Sequence, residues 1–169
     1  MDPNGVEIRK SHRISRRIYR NPGPNYCIHI DGYDKLKPFG FPVHGAVDGY
    51  SRRVLWLKVG KTNNNPVVIA SYFIQYINNI TGVPSIVRMD SGTENVIVQD
   101  IQQAFRIEHE GVFQGMKSVI VGSSHSNQRV ERWWSSMRSG GAGYWIDMFK
   151  DMVDTGLFAT ADPAHMYMF

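Results

Sequence analysis

Hydrophobic residues come in short blocks over the first part of the chain and recur at helical spacing further on. Asn21-Pro22-Gly23-Pro24-Asn25 is a breaker and the best candidate linker. Tyr26 to Asp31 then reads as a first strand, and Asp34 to Gly40 turns the chain. Phe41 to Asp48 is apolar enough for a second strand, Gly49-Tyr50-Ser51 makes a tight turn, and Arg53 to Val59 reads as a third. Three strands joined by short turns predict an antiparallel meander. After Lys61-Thr62-Asn63-Asn64-Asn65 the pattern changes. Pro66 suits the first turn of a helix and Asn65 its cap. Val67, Val68, Ala70, Ser71, Ile74, Ile77 and Asn78 follow helical spacing up to Thr81-Gly82. A short strand, Ser85 to Met89, leads to Asp90. A second helix spans Val96 to Arg106, with Val96, Ile97, Ile101, Ala104 and Phe105 on one side. Lys117 to Val121 is a fifth strand, Gly122 to Asn127 a polar loop, and Asn127 to Met137 a last helical region. The stretch from Tyr144 to Phe158 keeps an amphipathic pattern in Trp145, Met148, Phe149, Met152 and Val153. Strands connected through helices tend to lie parallel. The pattern alone therefore predicts an α/β fold with a mixed sheet of about five strands and helices on its faces.

At 169 residues the chain has room for one ordinary domain with its own core. No run approaches the ~20 apolar residues of a membrane span, and the start, Met-Asp-Pro-Asn-Gly, lacks the apolar centre of a signal peptide. Cys27 is the one cysteine, which excludes an internal disulfide framework and a cysteine-rich zinc knuckle. An intracellular setting is the expectation, nuclear if the chain acts on DNA. The net charge of +4 is unevenly placed. Residues 9–20 hold six Lys/Arg and no acid, whereas from residue 21 onward 13 basic and 13 acidic residues cancel. Excess charge gathered in one segment, including Arg13, Arg16 and Arg17, suits phosphate neutralisation. A solvated helix face or tail is the plain alternative.

Three carboxylates carry the candidate chemistry. Asp31 closes the first strand, Asp90 closes the fourth, and Glu131 lies in the last helical region. If those two strands are neighbours, both aspartates emerge at one sheet edge, and Glu131 approaches from a helix lying across it. A site with only oxygen ligands and open coordination positions suits Mg²⁺ or Mn²⁺. Two such ions roughly 3.5–4 Å apart would activate a water or a 3′-hydroxyl and stabilise the leaving oxygen in an in-line displacement. With 15 acidic residues, however, some Asp…Asp…Glu order is guaranteed. The joint context of the three segments is what separates this set from chance.

That context resembles the integrase core domain of retroviruses and retrotransposons, within the D-D-E transposases. His29-Ile30-Asp31-Gly32 is similar to its first motif, and Val47-Asp48-Gly49-Tyr50-Ser51-Arg52 to the turn after its second strand. Arg88-Met89-Asp90-Ser91-Gly92-Thr93-Glu94-Asn95 is similar to its second catalytic motif, and Ser126-Asn127-Gln128-Arg129-Val130-Glu131-Arg132-Trp133 to its third. The stretch from about Arg16 to Phe158 resembles most closely the cellular integrase-core proteins of animal genomes. The resemblance implies a ribonuclease H-like fold, a five-stranded mixed sheet with helices on both faces. It also implies a two-metal site of Mg²⁺ or Mn²⁺ on Asp31, Asp90 and Glu131, with DNA as partner and a homo-oligomer as the acting form. The domain reading is a basic segment and linker over 1–24, a catalytic core over 25–158, and a tail over 159–169 that stops where relatives continue. The gaps of 58 residues between Asp31 and Asp90 and 40 between Asp90 and Glu131 are somewhat longer than the usual retroviral spacing. The paired-His, paired-Cys zinc module that precedes many retroviral cores is absent from this sequence.

Around these residues, Arg138 lies two helical turns beyond Glu131, where relatives place a DNA-contacting lysine. Arg129 and Arg132 flank Glu131 as candidate phosphate contacts. His125 and Asn127 are candidates for positioning substrate or water, with a helix cap the competing role for Asn127. Trp133 and Trp134 read as one core and one surface residue, with base stacking the alternative. Asp48 reads as structural, His29 as half-buried and not a ligand. Asp34, Glu94 and Asp100 stand in should one carboxylate be misassigned. The functional expectation is a metal-dependent polynucleotidyl transferase that cuts and joins DNA strands. Two others stand beside it: a domesticated, catalytically silent nucleic-acid-binding or protein-interaction module, and a ribonuclease H-type nuclease on an RNA–DNA hybrid.

Overall fold

The computed structural model describes residues 21–122 and 127–168. Arg13, Arg16 and Arg17 of the basic segment, and His125, lie outside the described residues. Five strands form one sheet in the order β3-β2-β1-β4-β5. They are β1 (Cys27–Tyr33), β2 (Val43–Asp48), β3 (Val54–Val59), β4 (Ile86–Asp90) and β5 (Val119–Gly122). The first three make the expected antiparallel meander, while β4 runs parallel to β1 and β5 parallel to β4. Parallel neighbours need a long crossover, and here helices supply it. Helix α1 (Pro66–Asn79) joins β3 to β4, and α2 (Val96–Phe105) leads from β4 towards β5. This is the five-stranded mixed sheet expected from the element order.

The strand period of two assigns each residue to a face. Ile28 and Ile30 of β1, with Val87 and Met89 of β4, join Ile69, Phe73 and Ile77 of α1 in one buried cluster. The intervening positions, Asp31 and Asp90 among them, point to the other face. A second cluster lies there, formed by Tyr33, Val43 and Val47 with Val130 and Trp134 of helix α3 (Gln128–Met137) and Ile146 and Phe149 of α4 (Gly143–Asp154). Both faces are therefore covered, and both aspartates sit on the side that receives α3. Phe73 is wholly buried, and its truncation to Ala would cost about 3–5 kcal/mol.

Asn65 caps α1 as predicted, its side chain accepting a hydrogen bond from the Val67 N–H at 3.0 Å. The faces of α1 and α2 differ from the spacing read in the sequence. On α1 Ala70 and Ile77 are buried as expected, together with Ile69, Phe73 and Tyr76, whereas Val67 is 64% exposed and Ser71 and Asn78 lie with Gln75 on an exposed polar stripe. On α2 Ile97 and Ile101 pack against the first cluster as expected, but the fully buried residues are Val98 and Gln102, and Val96 and Phe105 face outward. Gln102 earns its buried place by donating from Nε2 to the Pro84 carbonyl at 2.8 Å.

Residues Arg138–Ala142 form a wide π-type turn between α3 and α4, where Gly141 takes a φ of 152° that a side chain would resist. Helix α4 then packs Phe149 against Phe39 and Phe41, with ring centroids 5.2 and 5.3 Å apart. A short helix α5 (Pro163–Met168) follows. No described helix is long and apolar enough to cross a membrane.

Candidate active site

Asp31 and Asp90 each lie two residues beyond His29 and Arg88, the last paired positions of the parallel β1–β4 ladder. Neighbouring strands run about 4.8 Å apart. The two carboxylates therefore leave the same face at the same edge, both partly buried. Burial lifts the Asp31 carboxyl to about 7, and repulsion from Asp90 and from Glu131 adds to the rise. The Trp134 indole N–H, donating to Oδ2 at 2.9 Å, and the Gly32 N–H, donating to Oδ1 at 2.9 Å, pull the other way. Asp90 is also raised by burial, with the Asn127 side chain offsetting part of the effect. Its Oδ1 is buried and accepts no hydrogen bond among the described residues. Asp31 thus feels both other carboxylates, from two different elements.

Helix α3 brings Glu131 to this edge, and residues on either side of it fasten the helix down. Asn127, Glu131 and Trp134 are spaced four and three apart, which puts them on one helix face. Asn127 is 1% exposed; it occupies the cap position but makes no capping bond. Instead its Nδ2 donates to the Ile30 carbonyl at 2.9 Å, and its Oδ1 meets His29 Nδ1 at 2.8 Å. The capping role expected of Asn127 is thereby replaced by a tie between α3 and β1. Since Asn127 Oδ1 can only accept, His29 Nδ1 must carry the proton. His29 is 1% exposed rather than half-buried, and desolvation holds its pKa down to about 4, so the ring is neutral at pH 7.

The arginines separate into two groups. Arg138 follows the last residue of α3, and its charge offsets part of the burial that raises the Tyr33 hydroxyl, which places it on the Asp31 side. At about 100° per residue, Arg129 lies almost opposite Glu131 on α3, and Arg132 about a quarter-turn away. The Arg129 charge nonetheless reaches His29 on β1, whose pKa it helps to lower. Both arginines line a groove of about 390 Å³ with Arg52, Trp133, Ser136 and Val47. Trp134 is the core tryptophan of its pair and Trp133 is partly buried. Asp48 is structural as read: Oδ1 accepts from the Asn25 N–H at 2.8 Å, and Oδ2 from the Ser51 N–H and hydroxyl at 2.7 and 2.6 Å. Asp34 is occupied by Asn63 and Lys37, Glu94 by the Asn95 amide, and Asp100 is exposed on α2. Sequence reasoning missed the bond from Trp134 to Asp31, the place of Gly45 beneath that indole, and Arg52 in the groove. A buried tryptophan three residues after Glu131 was the one available signal for the first.

A family model described as Integrase core domain matches residues 18–169. The chain belongs to the integrase core domain family. Among solved structures, it is similar to the magnesium-bound, trimeric form of the HTLV-2 integrase catalytic core domain. The identity is 18%, covering 88% of this chain and 84% of that one, with a TM-score of 0.47. No match was found among curated proteins. For a divalent cation, the integrase core offers the right kind of donors: three carboxylates, oxygen ligands only, and a buried Asp90 oxygen that lacks a donor. They are not gathered into a cage, since among the described residues no three His, Cys, Asp or Glu side chains are grouped to hold a metal ion.

Proposed function

We propose that this integrase core is a metal-dependent polynucleotidyl transferase that cuts and joins DNA strands, with Asp31, Asp90 and Glu131 as its catalytic carboxylates. The observation that carries the reading is the mutual field at the sheet edge: Asp31 is lifted to about 7 by burial and, in addition, by Asp90 and Glu131. Carboxylates that repel one another in a half-buried site are stabilised by a shared cation. A divalent ion bound there supplies Lewis-acid polarisation of the scissile phosphate and a more acidic attacking hydroxyl. The chain's own contribution is geometric and electrostatic. β1 and β4 hold two carboxylates side by side, and α3 carries the third, tied to β1 through Asn127. Arg138 adds positive charge on the same side for a DNA phosphate. Magnesium or manganese, DNA as partner, and a homo-oligomer as the acting form belong to this reading. Arg129, Arg132 and Arg52 offer backbone contacts along the far flank of α3.

A catalytically silent DNA-binding module is the second reading, favoured by the absence of a gathered three-carboxylate group among the described residues. A nicking and strand-transfer assay on duplex DNA separates the two. Wild type is expected to act only with Mg²⁺ or Mn²⁺, and Glu131→Gln to be inactive while still folded. Activity that survives the substitution, or none with either metal, removes the enzymatic claim. A parallel RNA–DNA hybrid substrate distinguishes a ribonuclease H-type nuclease.

A further inference from the structure

Trp134 does more than fill the core under α3. Its side chain is 6% exposed, packs against Tyr33 with ring centroids 5.1 Å apart, and directs Nε1–H onto Asp31 Oδ2 at 2.9 Å. The room for this comes from β2. Gly45 is the cross-strand partner of Asp31, and a Cβ built on Gly45 would stand 2.8 Å from Trp134 Cη2 and 3.3 Å from Cζ2. The missing side chain therefore lets the indole lie across the sheet beside Asp31. The Gly32 N–H holds the other oxygen at 2.9 Å. One donor on each oxygen fixes the plane of the carboxylate, while each oxygen keeps a further lone pair for a cation.

We propose that Trp134, seated on Gly45, is the positioning residue for Asp31, so that the helix bearing Glu131 also sets the orientation of the first carboxylate. This rests on the metal-dependent reading above. Partners that orient a metal ligand commonly contribute 10–100-fold to metal affinity or activity. Trp134→Phe keeps an aromatic ring and removes only the donor and the second ring. Gly45→Ala keeps the tryptophan but displaces its indole through the added Cβ, at a position in regular extended strand that alanine adopts without strain.

The test is Mn²⁺ binding by calorimetry to the full chain and both variants, joined to an ¹⁵N spectrum of the indole N–H groups during Mg²⁺ addition. The chain has four tryptophans, and Trp134→Phe identifies the Trp134 signal by its loss. The Trp134 signal is expected to move on Mg²⁺ addition, whereas that of Trp56, which donates to His44 Nδ1 at 3.1 Å, stays in place. Both variants are expected to bind Mn²⁺ roughly ten-fold more weakly. In the strand-transfer assay their half-saturating Mg²⁺ should rise by a similar factor with KM for DNA unchanged. A folded Trp134→Phe chain that binds Mn²⁺ as wild type does overturns the proposal and leaves the metal reading standing. If Trp134→Phe does not fold, Gly45→Ala decides by the same criterion. Wild type that binds no Mn²⁺ overturns both.

Discussion

The tie between α3 and β1 gives the sharpest prediction about how the site is held. Asn127→Ala deletes an amide that is 1% exposed and joins two buried groups, the His29 Nδ1–H at 2.8 Å and the Ile30 carbonyl at 2.9 Å. Neither has water at hand to replace the lost partner. Leaving a buried polar group unsatisfied costs about 1–3 kcal/mol, so two of them cost about 2–6 kcal/mol. That is a large share of the 5–15 kcal/mol typical of a domain. At about 2–4 °C per kcal/mol for a chain of this size, Tm should fall by roughly 4–24 °C. Urea unfolding followed by tryptophan fluorescence reads the same loss as a lower midpoint with an unchanged slope. Asn127→Asp sharpens the argument. It keeps an acceptor for His29 but sets an oxygen against the Ile30 carbonyl and adds negative charge beside Asp90, so at pH 7 it should destabilise at least as much as Ala. An Asn127→Ala chain within about 0.5 kcal/mol of wild type would refute the view that this amide anchors the helix.

Three further outcomes are expected. In metal-free protein Asp31 sits near 7 in the fold against 3.8 ordinarily, so its contribution to stability is full below about pH 4 and lost as pH rises through 7. The stability of Asp31→Asn relative to wild type should therefore rise between pH 4 and pH 8 in EDTA by on the order of 2–4 kcal/mol, whatever constant cost comes from its NH2 facing one of the two N–H donors; a difference that does not change with pH would contradict this. Asp48→Ala removes the acceptor of three hydrogen bonds, two from Ser51 in the β2–β3 turn and one from the Asn25 N–H ahead of β1, and urea unfolding should show a loss of about 2–4 kcal/mol. Arg138→Gln should weaken DNA binding and lower the slope of log affinity against log salt by about 1, and an unchanged slope would show that Arg138 meets no phosphate.

The sheet was legible because its strands are short apolar blocks between strong breakers, and because helices between strands force parallel neighbours. The two aspartates were legible for the same reason, since each ends a strand whose partner the element order implies. Helix faces were harder to read. On α1 the exposed polar stripe of Ser71, Gln75 and Asn78 is narrow among many apolar residues, and α2 buries Gln102, whose bond to Pro84 links residues 18 apart in sequence and leaves no periodic trace. The supporting contacts of the site were hidden similarly. Asn127 looks like a cap by position, yet its partners lie 97 and 98 residues away on β1. Gly45 reads as an ordinary strand glycine until Trp134 is seen against it. Arg129 and Arg132 flank Glu131 in sequence, but the helical turn sets them in the groove with Arg52.

The account stands on Asp31, Asp90 and Glu131 serving one cation, and a crystal of the wild-type chain soaked in Mn²⁺, with anomalous data at the manganese edge, asks this most directly. The expected result is manganese at the C-terminal ends of β1 and β4, with oxygens of Asp31 and Asp90 at roughly 2.0–2.3 Å and Glu131 turned towards it. Anomalous signal absent from that edge, or present only elsewhere on the surface, would contradict the account.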